Sequence, residues 1–175
     1  MKSRVFKLVI LALVLIALLT SCKQNTTKEY HSIFDCDYAS EIREHMHPEG
    51  VGLEEDETEL RLYNFPMLDG IAYCVVQYDQ SSDVVNRIDC YMEFSTENIM
   101  EQSAKVKDAF LSMIHYETGE YGFYPLDDNE EAGEADFLAG NASMEMLIFD
   151  DTTSWGIIWF VTGDVASLRL SKSFE

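Results

Sequence analysis

Between residues 59 and 170 the apolar positions recur at two periods, and each period predicts a different element. Residues 71–78 and 84–94 alternate and are rich in β-branched and aromatic side chains, with Asp79-Gln80-Ser81-Ser82-Asp83 between them. That is the pattern of a β-hairpin. Ala72, Cys74, Val76 and Tyr78 share one face of the first strand, and Ile88, Cys90, Met92 and Phe94 share one face of the second. A loop over residues 81–83 pairs Gln80 with Val84 and sets Cys74 directly across from Cys90; another loop length moves this register. The period then changes. Ile99, Val106, Ala109, Phe110, Met113 and Ile114 form an apolar stripe at helical spacing, with Glu101, Gln102, Lys105, Lys107 and Asp108 facing away. Ser95 is the expected N-cap, flanked by Phe94 and Ile99 as a staple, and Gly119 the expected stop. The spacing predicts one long helix over residues 96–118, lying on the apolar face of the hairpin.

Further elements follow from the same reading. Tyr38, Ile42 and His45 or Met46 predict a short N-terminal helix capped by Asp37 and stopped by Pro48 and Gly50. The acidic run at residues 54–59 reads as a solvated loop. A short strand is expected at residues 59–65, with Leu60, Leu62 and Asn64 alternating against Arg61, Tyr63 and Phe65 and with Pro66 closing it. Residues 119–142 read as loop. Residues 144–149, 154–162 and 165–170 predict strands joined by an Asp150-Asp151-Thr152-Thr153 turn and a Gly163-Asp164 turn. Trp155 to Val161 is apolar on both faces, where a half-buried antiparallel strand alternates. It is therefore expected at the centre of the sheet, with its second face covered by other chain, a partner or a ligand. Trp155 and Trp159 share a face and offer either core packing or a platform for a sugar ring or peptide. The predicted fold class is α+β: an antiparallel sheet of five or six strands, one long helix (96–118) packed on one face, and a short N-terminal helix.

The N-terminal segment is of another kind. Lys2, Arg4 and Lys7 form a basic head, residues 8–19 are an apolar run, and Leu19-Thr20-Ser21-Cys22 closes it. The run is shorter than the roughly 20 residues that span a bilayer and has the layout of a secretory signal peptide. Leu19-Thr20-Ser21-Cys22 resembles the lipobox of bacterial lipoproteins. The resemblance implies that Cys22 is acylated with a diacylglycerol, that residues 1–21 are removed and that the mature chain begins at Cys22. Residues 22–29 then read as a flexible tether and 30–175 as one globular domain. The order of elements loosely resembles small bacterial envelope lipoproteins with a helix-backed antiparallel sheet. More remotely it resembles the β-lactamase-inhibitor-like domains of outer-membrane assembly lipoproteins, although two helices usually precede the sheet there.

Charge narrows the partners. With 12 basic and 32 acidic residues the chain carries a formal −20, and loss of the basic head makes it more negative. Nucleic acid and anionic headgroups repel such a chain, whereas a basic protein or peptide of the envelope suits it. Cys36, Cys74 and Cys90 remain beyond Cys22 and none is spaced CxxC, which argues against structural zinc. Cys74 and Cys90 are expected to be buried, bridged or not, and Cys36 to be the reactive thiol at the domain's edge. Residues 127–138 fail as an EF-hand loop because Ala132 and Leu138 stand where Gly and Glu are required. No catalytic residues, metal ligands or cofactor site are read from the chain, and no hydrolase, metalloprotease, phosphate-loop or dinucleotide motif is present.

These features imply a protein lipid-anchored to a membrane through Cys22, facing the extracytoplasmic side of the cell envelope, with a non-enzymatic binding or scaffolding role. Two alternatives stay open: an acidic inhibitor or immunity-type lipoprotein acting on a cationic target, and an enzyme without a recognisable motif.

Overall fold

A computed structural model describes residues 30–116, 119–127 and 131–174. Eight strands form one antiparallel sheet: β1 (Gly52–Asp56), β2 (Glu59–Met67), β3 (Gly70–Tyr78), β4 (Val85–Ser95), β5 (Gly122–Pro125), β6 (Ala142–Phe149), β7 (Thr153–Thr162) and β8 (Val165–Phe174), in the order β1-β2-β3-β4-β8-β7-β6-β5. Helices are short: a 3-10 turn (Ile33–Asp35), α1 (Ala39–His45), α2 (Ile99–Met113) and α3 (Glu134–Leu138).

The expected fold class is therefore corrected. The molecule is predominantly β, with eight strands and several short helical segments rather than five or six strands under one long helix. The two missed strands are the sheet's edges. Glu54, Glu55 and Asp56 belong to β1, opposite Arg61, Leu60 and Glu59. An edge strand pairs on one side only, and charged side chains there discourage further pairing, so an acidic run suits it. β5 lies at the other edge, paired only with β6.

The helix over residues 96–118 shrinks at both ends for local reasons. β4 runs through Ser95, which pairs with Val165, so the chain is still extended at the expected cap. The cap is Asn98, in the left-handed region at φ 58°. At the other end His115 adopts φ 57°, its N–H donates to Ser112 O at 3.2 Å, and Tyr116 N–H donates to Leu111 O at 2.8 Å. That pair of bonds is a Schellman termination. It ends the helix at Met113, six residues before Gly119.

β2 departs from simple alternation too. Asn64 sits at φ 58° in a bulge between Leu62 and Phe65. One extra residue reverses the side-chain direction after it. Phe65 and Met67 thus turn inward with Leu60 and Leu62. Pro66 stays in the strand opposite Ile71 because β1 pairs only residues 59–63, leaving its missing N–H without consequence. The hairpin to β3 turns through Leu68 and Asp69, both at positive φ.

The core lies between one face of the sheet and the helices. Cys74, Cys90, Leu170, Ile157 and Met146 run across that face in register and are all buried. Phe34 of the 3-10 turn and Phe110 of α2 meet edge-on at 5.7 Å, and both lean on Trp155. Phe137 of α3 packs on Phe123 of β5. Lys172 points inward as well: Nζ donates to Phe34 O and lies 4.9 Å from the Trp155 ring centre.

Arg43 ties α1 to the sheet. Its guanidinium donates to Glu55 of β1 at 2.6 Å and to Asp83 of the β3–β4 turn at 3.0 Å, over the Tyr78 ring. The Arg43 bond, then the Tyr78 hydroxyl, hold the Glu55 carboxyl below its ordinary 4.5. Burial works against ionisation of Asp83, but bonds from Ser40 and Arg43 outweigh it and its pKa falls below 3.8. Folded values below the unfolded ones give stability that is complete above the ordinary carboxylate range and lost as pH falls through the folded values. Urea midpoints measured from neutral pH down to about 3 should therefore decline. Arg43→Ala should flatten that decline and cost about 1 kcal/mol at neutral pH, a modest figure because all three groups are partly exposed.

Candidate functional site

The 3-10 turn and the three helices all contact the inner face of the sheet, and among the described residues no helix lies on the other face. That outer face is built by the alternate residues of the same strands. One row reads Tyr63, Tyr73, Tyr91, Arg169, Ile158 and Glu145; the next reads Arg61, Val75, Asp89, Ser171, Gly156 and Leu147. Tyr63 and Tyr73 have ring centres 5.1 Å apart, and Tyr73 and Tyr91 stack at 6.2 Å. Cross-strand aromatic pairs of this kind stabilise a sheet. The bulge at Asn64 makes the row possible by leaving Tyr63 outward while Phe65 turns in. A shallow hollow of about 650 Å³ borders it, lined in part by Tyr63, Asn64, Ile71, Tyr73, Tyr91 and Glu93.

Beside the tyrosines stands a charged cluster. Asp89, 7% exposed, accepts from Arg87 Nε at 2.5 Å and from Arg169 Nε at 2.9 Å. The Asp89 bond raises the Arg87 pKa, with burial opposing it. Burial first and the Asp89 charge second push the Tyr91 phenol above its ordinary value. The Glu54 carboxylate, which accepts from the Tyr63 hydroxyl at 2.9 Å, does the same for Tyr63.

Toward β5 the outer face becomes apolar. Leu147 and Phe149 are 56% and 68% exposed, and Phe160 and Tyr124 are exposed beside them. Phe160 and Ile158 are the second face of the unalternating β7. The strand is interior to the sheet, between β6 and β8, and no described element covers that second face. Exposed apolar side chains grouped on one face mark interaction surfaces.

Trp155 and Trp159 do not belong to it. Both lie on the inner face; Trp159 is fully buried against Phe94, and Trp155 is half-buried between Phe34 and Phe110. Of the two alternatives, Trp159 takes core packing, and Trp155 packs on Phe34 and Phe110 at the border of the core. Cys36, expected at an accessible edge, is as buried as Cys74 and Cys90. Cys22 and the segments expected to be a signal peptide and a tether lie outside the described residues, as do residues 128–130. His115 is exposed at the end of α2, and His45 stacks on Tyr30 at 4.9 Å. Among the described residues no three His, Cys, Asp or Glu side chains converge on a common point, and no helix is long and apolar enough to cross a membrane. Comparison with protein-family models, curated proteins and solved structures finds no match for the chain.

Sequence reading located every strand of this face except its edges, but it followed the inward residues. The outer tyrosines were legible as the alternate positions of β2, β3 and β4; what could not be read was that none of the described helices covers them.

Proposed function

We propose that this chain is a lipid-anchored, non-enzymatic binding protein of the cell envelope that engages a polypeptide through the outer face of its sheet. The observation that carries the reading is the face itself: interior strands, no covering layer among the described residues, and exposed Leu147, Phe149 and Phe160 alongside a tyrosine row. Its breadth and shallowness suit a protein surface better than a small molecule, which is usually enclosed by a pocket. Anchoring through Cys22 rests on the lipobox and would hold the face near the membrane. A second reading, an inhibitor of a cationic target, draws on the exposed acidic residues Glu54, Asp56 and Glu57 at the β1 edge and on the formal −20.

Photoreactive side chains at Leu147, Phe149 and Phe160 of the full chain, with Leu138 on the helix side as control, test the reading. The outer positions should yield one common adduct in the membrane fraction, and Leu138 none. An adduct that survives raised salt supports the apolar face; one lost with salt supports the cationic-target reading. No adduct from the outer positions, or the same adduct from Leu138, overturns the proposal. The Cys22→Ser chain should leave the membrane fraction and lose the adduct.

A further inference from the structure

We infer that Cys74 and Cys90 are a disulfide-forming pair that locks β3 to β4 directly beneath the outer tyrosines. Three observations carry it. The two residues are directly opposed in the register of the hairpin. Both side chains are fully buried on the same face. Their sulfur atoms stand 2.8 Å apart, closer than unbonded sulfurs pack, so a bond of about 2.05 Å needs a movement of under an ångström. Tyr73 and Tyr91 are the adjacent opposed pair, so a covalent link between the cysteines pins the spacing at which those rings stack.

The chemistry is a thiol–disulfide exchange. A disulfide-bearing oxidant accepts the thiolate of one cysteine, forming a mixed disulfide and releasing one thiol. The second cysteine displaces the other half, so two thiols and one external disulfide become one Cys74–Cys90 bond and two external thiols. Burial, then the contact with Cys74, push the Cys90 thiol well above its ordinary pKa. In the folded molecule little thiolate is available and the oxidant has no access. The bond therefore forms while the strands pair and is afterwards shielded from exchange.

The test is refolding of the full chain from urea in a buffer of oxidised and reduced glutathione, followed by alkylation under denaturing conditions and peptide mapping. Trypsin cuts after Arg87, which leaves the two cysteines on separate peptides. The expected result is one linked pair joining them. The urea midpoint should rise on the order of 1 M over the fully reduced chain, given the short loop closed. In the Cys74→Ala, Cys90→Ala double variant the midpoint should not respond to glutathione. Separately alkylated Cys74 and Cys90, linkage of either one to Cys36 or Cys22, a bridge that lowers the midpoint, or a glutathione response in the double variant would each overturn the inference.

Discussion

Trp159→Ala should destabilise the protein by about 3–5 kcal/mol, the range for removing a large buried aromatic. Trp159 is fully buried on the inner face of an interior strand, and its ring packs on Phe94 with centres 5.2 Å apart. Its indole N–H also begins a polar chain: Nε1 donates to the Tyr121 hydroxyl at 3.1 Å, which donates to the Ser103 carbonyl of α2 at 3.4 Å. Burial holds the Tyr121 phenol well above its ordinary pKa, so it remains a donor throughout the range where the protein is handled. Alanine removes the ring and leaves the Tyr121 oxygen without its donor. With total stabilities of roughly 5–15 kcal/mol, such a loss is a large fraction of the whole. Phe149→Ala, on the outer face, should change stability by about 0.5 kcal/mol or less. Urea unfolding of the two variants measures the contrast. Equal effects would mean that the outer face is also packed.

The second large effect is expected at Asp89. Asp89→Ala leaves the Arg87 and Arg169 guanidiniums facing one another without the carboxylate that accepts from both. Breaking a buried ion pair costs about 3–5 kcal/mol; here both arginines are about a third exposed, so about 2 kcal/mol is expected. Arg87→Ala or Arg169→Ala alone should cost less, because Asp89 keeps one partner. The two arginine substitutions together should cost more than their sum, since the second strands a nearly buried carboxylate. Asp89→Asn should recover part of the loss through its remaining acceptor. Urea midpoints for the variants, compared at low and raised salt, decide the matter: an Asp89→Ala chain as stable as the parent would show that the cluster is only solvated charge. Loss of the outer-face adduct in Asp89→Ala, with the fold intact, would place the cluster within the binding surface.

Patterns set by neighbouring residues could be read from the chain itself. The two hairpin strands that carry the cysteines and their shared inward face follow from period-two alternation, whereas the opposition of Cys74 to Cys90 depends on the turn between them. A three-residue loop over 81–83 and the observed turn give the same register by different routes. The observed turn runs from Asp79 to Val84, closed by two bonds between them and Asp83, and a bulge near Val85 restores the offset. The apolar stripe of α2 was equally legible, because a helical face repeats within a few residues.

What escaped the sequence depends on residues far apart in the chain. β1 looks like a charged loop until Arg61 and Tyr63 lie beside it, and β5 looks like loop until β6 pairs with it. The ends of α2 were set by the reach of β4 and by a left-handed His115, neither of which propensity encodes. The direction of Phe65 hung on a single bulged asparagine. Above all, an apolar strand with two inviting faces does not say which one is covered. For β7 the choice was made by Phe34, Phe110 and Trp155 meeting on one side, through ring contacts between segments more than forty residues apart. Local alternation determines which residues share a face, while burial is a property of the assembled layers. Only the tertiary structure could therefore decide that Trp159 is core and that Phe160, its neighbour, is surface.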